Sequence, residues 1–382
     1  MATKLLIGAD IVPTDSNIEL FAAGDREKLI GAELMKIFDA ADFIALNLEV
    51  PLTDKVTPIK KCGPNLIAPT KTFAGLRKIN PYFFTLANNH ILDQDEQGLI
   101  STMNLFREAG ISFAGAGKNL DEAAKPFVAQ IKNFRVGIYC CAEHEFSIAT
   151  KNSAGANPFD VFESFDTVRE LKKSCERVIV LFHGGKEHYR YPSPLLRKIF
   201  RKFAACGADY VIAQHTHCIG CAEHFGDAIL VYGQGNFLFD HSKSEFWQTS
   251  LLIEIDLEKS SDGVKFYPLR KTGATTRLAE GEDAAKILND FDKRSNEIMT
   301  DGFIEERYSK FADEMASDYC QRFSGRIGQS IIFRALRKIF FPKLFNLFQN
   351  QKSLLSIENR LDCESHRELA SQAFKNKVGG RS

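Results

Sequence analysis

"YFFTLANNHILDQ", residues 82–94, runs from aromatic residues straight into Asn88, Asn89 and His90. The first half has the composition of a short buried strand. The second half carries amides and an imidazole, groups that are costly to bury without partners. Asn is a common turn residue, so a plain turn accounts for the stretch taken alone. The other reading is that these groups face something that needs nitrogen and oxygen donors, such as a metal ion. The rest of the chain decides between the two.

Similar apolar runs recur at "KLLIGA" (4–9), "FIALNLE" (43–49), "RVGIYCC" (135–141), "RVIVLFH" (177–183), "ADYVIAQ" (208–214) and "AILVYG" (228–233). Between them, "REKLIGAELMKIFD", "TKTFAGLRKI", "DEQGLISTMNLFREAG" and "PLLRKIFRKFAACG" repeat apolar residues at three and four, which predicts crossover helices. Strands alternating with helices specify an α/β core. From Thr249, two strand-like runs joined through Ser-Ser-Asp-Gly predict a hairpin that closes it, and from about Glu280 the pattern is helical. This divides the chain into a core of residues 1–275 and a helical C-terminal extension, 276–382.

Set side by side, the strand ends share a property. "LLIGAD" ends in Asp10, "IALNLE" in Glu49, "FFTLANNH" in Asn89 and His90, "VIVLFH" in His183, and "YVIAQHTH" in His215 and His217. Groups beyond the carboxyl ends of sheet strands are where α/β proteins place their sites. Each has an ordinary reading alone: Asp10 as a cap, His183 as a satisfied strand-end histidine, Glu49 as a solvated carboxylate before Pro51. Together they supply carboxylates, an amide and imidazoles, a donor set suited to zinc, manganese or iron.

Composition limits the alternatives. Lys plus Arg equals Asp plus Glu, 49 of each, so no global field draws the protein to nucleic acid. The N-terminal apolar run is too brief for a signal-peptide core, and no stretch reaches the ~18 uncharged apolar residues of a membrane span. The expectation is a soluble, cytoplasmic protein. Nine cysteines without regular spacing fit reduced thiols, and Cys218 and Cys221 form a CxxC with no second pair to complete a zinc site.

The order and spacing of these groups resemble the metallophosphoesterase (calcineurin-like) superfamily of dinuclear phosphatases, and more closely its CapA-like capsule-synthesis family of poly-γ-glutamate production. The segments that carry the resemblance are "GAD" (8–10), "NLEVPLT" (47–53), "LANNHILDQDEQGL" (86–99), "HGGKEHYRYPSP" (183–194), "GADYVIAQHTH" (207–217) and "YGQGNFLFD" (232–240). The resemblance covers nearly all of the first 270 or so residues and implies a sandwich of two mixed β-sheets flanked by helices. It also implies two divalent ions, Mn, Zn or Fe: Asp10, Glu49 and His217 on the first, and Glu49, Asn89, His183 and His215 on the second, with Glu49 bridging. His90 would face the leaving group as the catalytic acid. Asp93 either orients His90 or caps the helix that opens near Asp95. The chain departs from the superfamily pattern in two places, with Val12 where a histidine is usual and Glu49 where aspartate is. The first site is therefore one ligand poorer.

Substrate-side candidates are Lys61, in the loop "PIKKCGPNL", and Glu187, His188 and Arg190, which follow His183 closely; arginine suits bidentate contact with phosphate or carboxylate. Asn236 is expected to hydrogen-bond at another strand end, and "FAGAGKN" (113–119) reads as a turn because it lacks phosphate-loop spacing. Arg322, Arg326, Arg334, Arg337, Lys338, Lys343 and Lys352 interleave with large apolar groups and no acidic residue. An amphipathic helix pair broken at Pro342 would either pack on protein, in a biosynthetic complex for example, or lie on the inner face of an anionic membrane. The leading functional reading is a metal-dependent hydrolase, a phosphoesterase of capsule or cell-surface polymer biosynthesis acting on a small or polymer-linked anionic substrate. The alternatives are an amide or ester hydrolase or transferase of poly-γ-glutamate metabolism, and a non-catalytic metal-binding subunit.

Overall fold

The computed structural model describes residues 2–80, 82–259, 261–323 and 351–378. In chain order the first strands are β1 Lys4–Val12, β2 Phe43–Leu48, β3 Phe83–Thr85, β4 Ser112–Ala114, β5 Ala116–Gly117, β6 Phe127–Ile131, β7 Phe134–Ala142 and β8 Gly155–Ala156. The remainder are β9 Arg177–His183, β10 Tyr210–Gln214, β11 Ala222–Phe225, β12 Ala228–Val231, β13 Asn236–Phe239, β14 Thr249–Asp256, β15 Val264–Thr272 and β16 Thr275–Leu278.

Two mixed sheets form the core. The first has the order β16-β15-β14-β1-β2-β3-β4, with β13 also pairing β1, and the second has the order β11-β12-β10-β9-β7-β6. From β1 to β4, and from β12 to β7, the pairings are parallel, while the hairpin strands at the edges are antiparallel. Side-chain alternation explains the layering. Ile179, Leu181, Tyr210 and Ile212 join Leu5, Ile7, Leu46 and Phe83 in one apolar cluster between the sheets. The intervening Val178, Val180, Phe182, Val211 and Ala213 pack instead with Val168 and Leu171 of helix Glu163–Ser174 and with Phe200 and Phe203 of helix Pro194–Ala205. Helices Ala32–Asp39, Phe73–Ile79 and Asp95–Ala109 add Leu34, Phe38, Leu76, Leu99 and Phe106 to the first cluster. The fold is thus the expected α/β sandwich of two mixed sheets flanked by helices.

The seven strands read from the sequence all form, as does the β14–β15 hairpin. "REKLIGAELMKIFD" is two helices rather than one, because Gly31 adopts φ 79° between Arg26–Ile30 and Ala32–Asp39. The first compact unit runs from Met1 to Glu305 and the second from Glu306 to Ser382, rather than dividing near residue 275. The reason is helix Gly281–Glu297, whose Ile287 and Phe291 are buried against Ile219 and Leu251. In the second unit, helices Gln351–Asp362 and Glu364–Val378 are described, while the expected basic helix pair around Pro342 lies outside the described residues. Among those described, no helix is long and apolar enough to cross a membrane.

Candidate metal and catalytic site

Parallel strands end in the same direction, so the carboxyl ends of β1, β2, β3, β9 and β10 bring their terminal residues together. Asp10 sits where the β1 pairing shifts register, opposite Asn47 of β2 and Asn236 of β13. Two residues later Val12, at the position of the usual histidine, belongs to the apolar cluster. Asn47 and Glu49 are two apart, so both project to one face. Asn47 Nδ2 donates to Asp10 Oδ1 over 2.7 Å and lies 3.2 Å from His183 Nδ1. The other edge of that ring, Nε2, is 3.0 Å from Asn89 Oδ1 and 3.2 Å from Glu49 Oε1. Coordinating atoms of Glu49, His215 and His217 lie within 4.8 Å of one another, so Glu49 stands between the two proposed ligand sets.

The turn after β10 is unusual. His215 and His217 adopt φ 87° and 53°, backbone that costs a residue with a β-carbon ~1–3 kcal/mol and persists only when its surroundings impose it. Here the His215 N–H donates to Asp10 Oδ2 over 3.2 Å, and His217 Nδ1 lies 2.9 Å from Asn236 Oδ1. Gly233 explains part of "YGQGNF": its φ is 149°, and a β-carbon there would come within 2.7 Å of Thr216 Oγ1 and 2.8 Å of the Cys218 carbonyl. Trp247 stacks on His217, with ring centroids 4.3 Å apart.

The electrostatics follow from burial. Asp10 and Glu49 are fully buried, and neither oxygen of Glu49 has a hydrogen-bond partner among the described residues. Desolvation, then the charge of Glu49, pushes Asp10 up to about 7, and desolvation pushes Glu49 up to about 8. Desolvation lowers His183 to about 4 and His217 to about 3, and it holds His215 well below the ordinary histidine value. A buried carboxylate without donors beside three neutral imidazoles is an arrangement a divalent cation completes: the carboxylates supply charge and the imidazoles lone pairs. The donor set therefore fits the implied ions.

His90 and Asp93 are in contact. His90 Nδ1 is 2.5 Å from Asp93 Oδ2, the His90 N–H donates to Asn88 Oδ1, and the helix that follows has Gln94 at its N-cap. Asp93 therefore holds His90 and does not occupy the cap position. Lys61 was expected to offer its ammonium to an anion. Its side chain is only 2% exposed, it is ion-paired with Asp93, and its Nζ lies 3.2 Å from His90 Nδ1, so it is committed inside the protein. Glu187 Oε1 is 4.0 Å from His215 Nε2 and partly exposed. His188 accepts a hydrogen bond from Trp247 Nε1, while Arg190 donates to the Ile219 carbonyl and to Glu245 and lies over the Phe246 ring. These two face an aromatic wall beside the cluster.

Sequence reading missed Asn47, Glu145 and Trp247. The period-2 relation of Asn47 to Glu49 was available as a signal. Glu145, whose Oε2 accepts from Asn89 Nδ2 over 2.6 Å, carries no such signal, because only the tertiary fold brings it there.

Comparison with known proteins agrees with the motif reading. The chain is 28% identical over 233 residues to the PGA biosynthesis protein CapA of Bacillus subtilis (strain 168), covering 59% of this chain and 60% of that protein. It is 28% identical over 234 residues to the capsule biosynthesis protein CapA of Bacillus anthracis, covering 59% and 56%. The match thus spans less than two thirds of either relative. Among solved structures, a novel phosphatase from Mycoplasma pneumoniae overlaps at TM-score 0.43 and 15% identity, covering 72% of this chain and 95% of that one. A putative 5′-nucleotidase from Staphylococcus aureus overlaps at TM-score 0.44 and 15% identity, covering 77% and 58%. The bacterial capsule synthesis protein PGA_cap family matches residues 4–241, from the start of β1 past the end of β13, and the chain belongs to that family.

Proposed function

We propose that this protein is a metal-dependent hydrolase, a phosphoesterase working in capsule or cell-surface polymer biosynthesis. The observation that carries the reading is the Glu49 carboxylate, fully buried, with no hydrogen bond formed to either oxygen among the described residues, and surrounded by His183, His215 and His217. Asp10, Glu49 and His217 would hold one divalent ion, and Glu49, Asn89, His183 and His215 a second. Paired divalent ions supply Lewis acidity and bring a water within reach of ionisation near neutral pH. The protein's own groups do the remaining work. Asn47 fixes Asp10, Glu145 holds the Asn89 amide, and Asn236 fixes the His217 ring. His90, held at Nδ1 by Asp93, presents Nε2 to protonate a departing alkoxide.

The test is metal analysis of the purified protein followed by Mn²⁺, Zn²⁺ or Fe²⁺ reconstitution and a panel of phosphomonoesters, phosphodiesters, amides and carboxyl esters. Phosphoester turnover that disappears in Glu49→Ala is the expected result. Failure of wild type to retain or take up any of the three metals would overturn the reading.

A further inference from the structure

A cavity of about 390 Å³ is lined in part by the chain neighbours of the aromatic wall. Arg190, two residues beyond His188, forms part of its lining, as do Gln248 and Thr249, which follow Trp247. The wall itself is a stack: His188 lies on Phe246 with ring centroids 5.4 Å apart, and Trp247 lies on His217. The lining is rich in charge and positive in balance. Arg190 bonds Glu245, and Arg270 bonds Asp283, so the cations of those pairs are already neutralised. Arg294, Lys243 and Lys286 also line the cavity and have no ion pair among the described residues; Asp290 is the remaining carboxylate against them. Arg294 Nε is spent on the Gly220 carbonyl, which aims the guanidinium without neutralising it. Burial, then the like charge of Arg190, pulls Arg294 below the ordinary arginine value, and an anion in the cavity would favour its charged form.

We propose that this cavity is a second anion subsite, holding a phosphate or carboxylate on the distal part of the substrate whose bond is broken at the metal cluster. The inference rests on the hydrolase reading, and it narrows the substrate to a molecule with at least two anionic groups. A guanidinium fork and two ammonium groups suit either oxyanion.

Calorimetric titration of metal-free protein with inorganic pyrophosphate and, separately, with glutarate tests it without reliance on the metal cluster. Saturable binding of one of them is expected, weakened at least tenfold in Arg294→Gln and kept within twofold of wild type in His183→Ala. Tighter pyrophosphate binding would point to a phosphate-bearing substrate and tighter glutarate binding to a carboxylate-bearing one. If Arg294→Gln does not fold, the exposed-side double variant K243Q/K286Q must show the loss. No saturable binding of either anion, or wild-type affinity in the variant that folds, overturns the subsite, while retained metal-dependent turnover would leave the hydrolase reading standing.

Discussion

Metal affinity should depend steeply on pH, and the structure sets both the sign and the size. An ion entering the cluster needs Asp10 and Glu49 ionised and the histidines neutral. With carboxyls at about 7 and about 8 and histidines His183 and His217 at about 4 and about 3, the histidines are already neutral at pH 6 while the carboxyls are mostly protonated. At pH 6 the first carboxyl is roughly one-tenth ionised and the second roughly one-hundredth; at pH 8 they are roughly nine-tenths and one-half. If both protons must leave, affinity rises roughly 10²- to 10³-fold over that interval, about 3–4 kcal/mol. The raised carboxyls contribute stability to the metal-free protein that is full below about pH 4 and is lost as pH rises from there through 7 to 8, the range in which the unfolded chain's carboxyls are ionised and the buried ones are not. The lowered histidines act in the opposite sense, contributing stability that is full above 6.5 and is lost as pH falls toward 4 and 3, where the unfolded chain's histidines have taken up protons. Mn²⁺ binding followed by electron paramagnetic resonance at pH 6, 7 and 8 measures the first effect. A change of less than about fivefold would show that the cluster carboxylates are ionised without metal, and the desolvation argument would fail.

Asn89→Ala should lower metal content and turnover together, whereas His90→Ala should keep its metal and slow a substrate with a poor alkoxide leaving group by roughly 10² to 10⁴, with much less effect on an activated aryl ester. Equal losses on both substrates would mean that His90 is not the acid. Glu145→Ala frees the Asn89 amide to turn its nitrogen toward the cluster, so affinity for one of two bound ions should fall roughly 10- to 100-fold, read by chelator competition. Unchanged affinity would remove Glu145 from the support of the site.

What could be read from the sequence depended on how much of each feature is local. β1, β2, β9 and β10 are short runs buried on both faces, so their apolar composition reveals them without knowledge of their neighbours. β13 and β16, four residues each, exist because β1 and β15 offer open edges, and nothing inside "NFLF" or "TTRL" states that. The ligand candidates were legible because parallel strands deliver consecutive carboxyl ends to one place, a rule of topology that needs no coordinates. Helix Gly281–Glu297 was assigned to the extension because its pattern is helical like the tail, and its packing on Ile219 and Leu251 is invisible until the core is assembled. Lys61 is the clearest miss. A lysine between glycine, proline and cysteine in a loop reads as solvent-facing, and only the fold shows Asp93 beneath it.

That burial gives Lys61 an effect of its own. Its side chain is 2% exposed and the Asp93 carboxylate it pairs with is fully buried, so removing the ammonium leaves a buried charge without compensation. Such losses cost about 3–5 kcal/mol, and Lys61→Met should destabilise the protein by that order in urea unfolding. Asp93 also accepts the backbone N–H of Leu66 over 2.6 Å and meets His90 Nδ1, so the pair fixes the loop and the imidazole at once. The double variant K61M/D93N separates these roles. Neutralising both partners removes the unpaired charge and should recover most of the stability. It cannot restore a carboxylate to stabilise a proton on His90, so turnover of the poor-leaving-group substrate should stay depressed while metal content stays near wild type. Recovery of turnover along with stability would show that Lys61 and Asp93 act on the fold alone, and that His90 needs no charged partner to do its work.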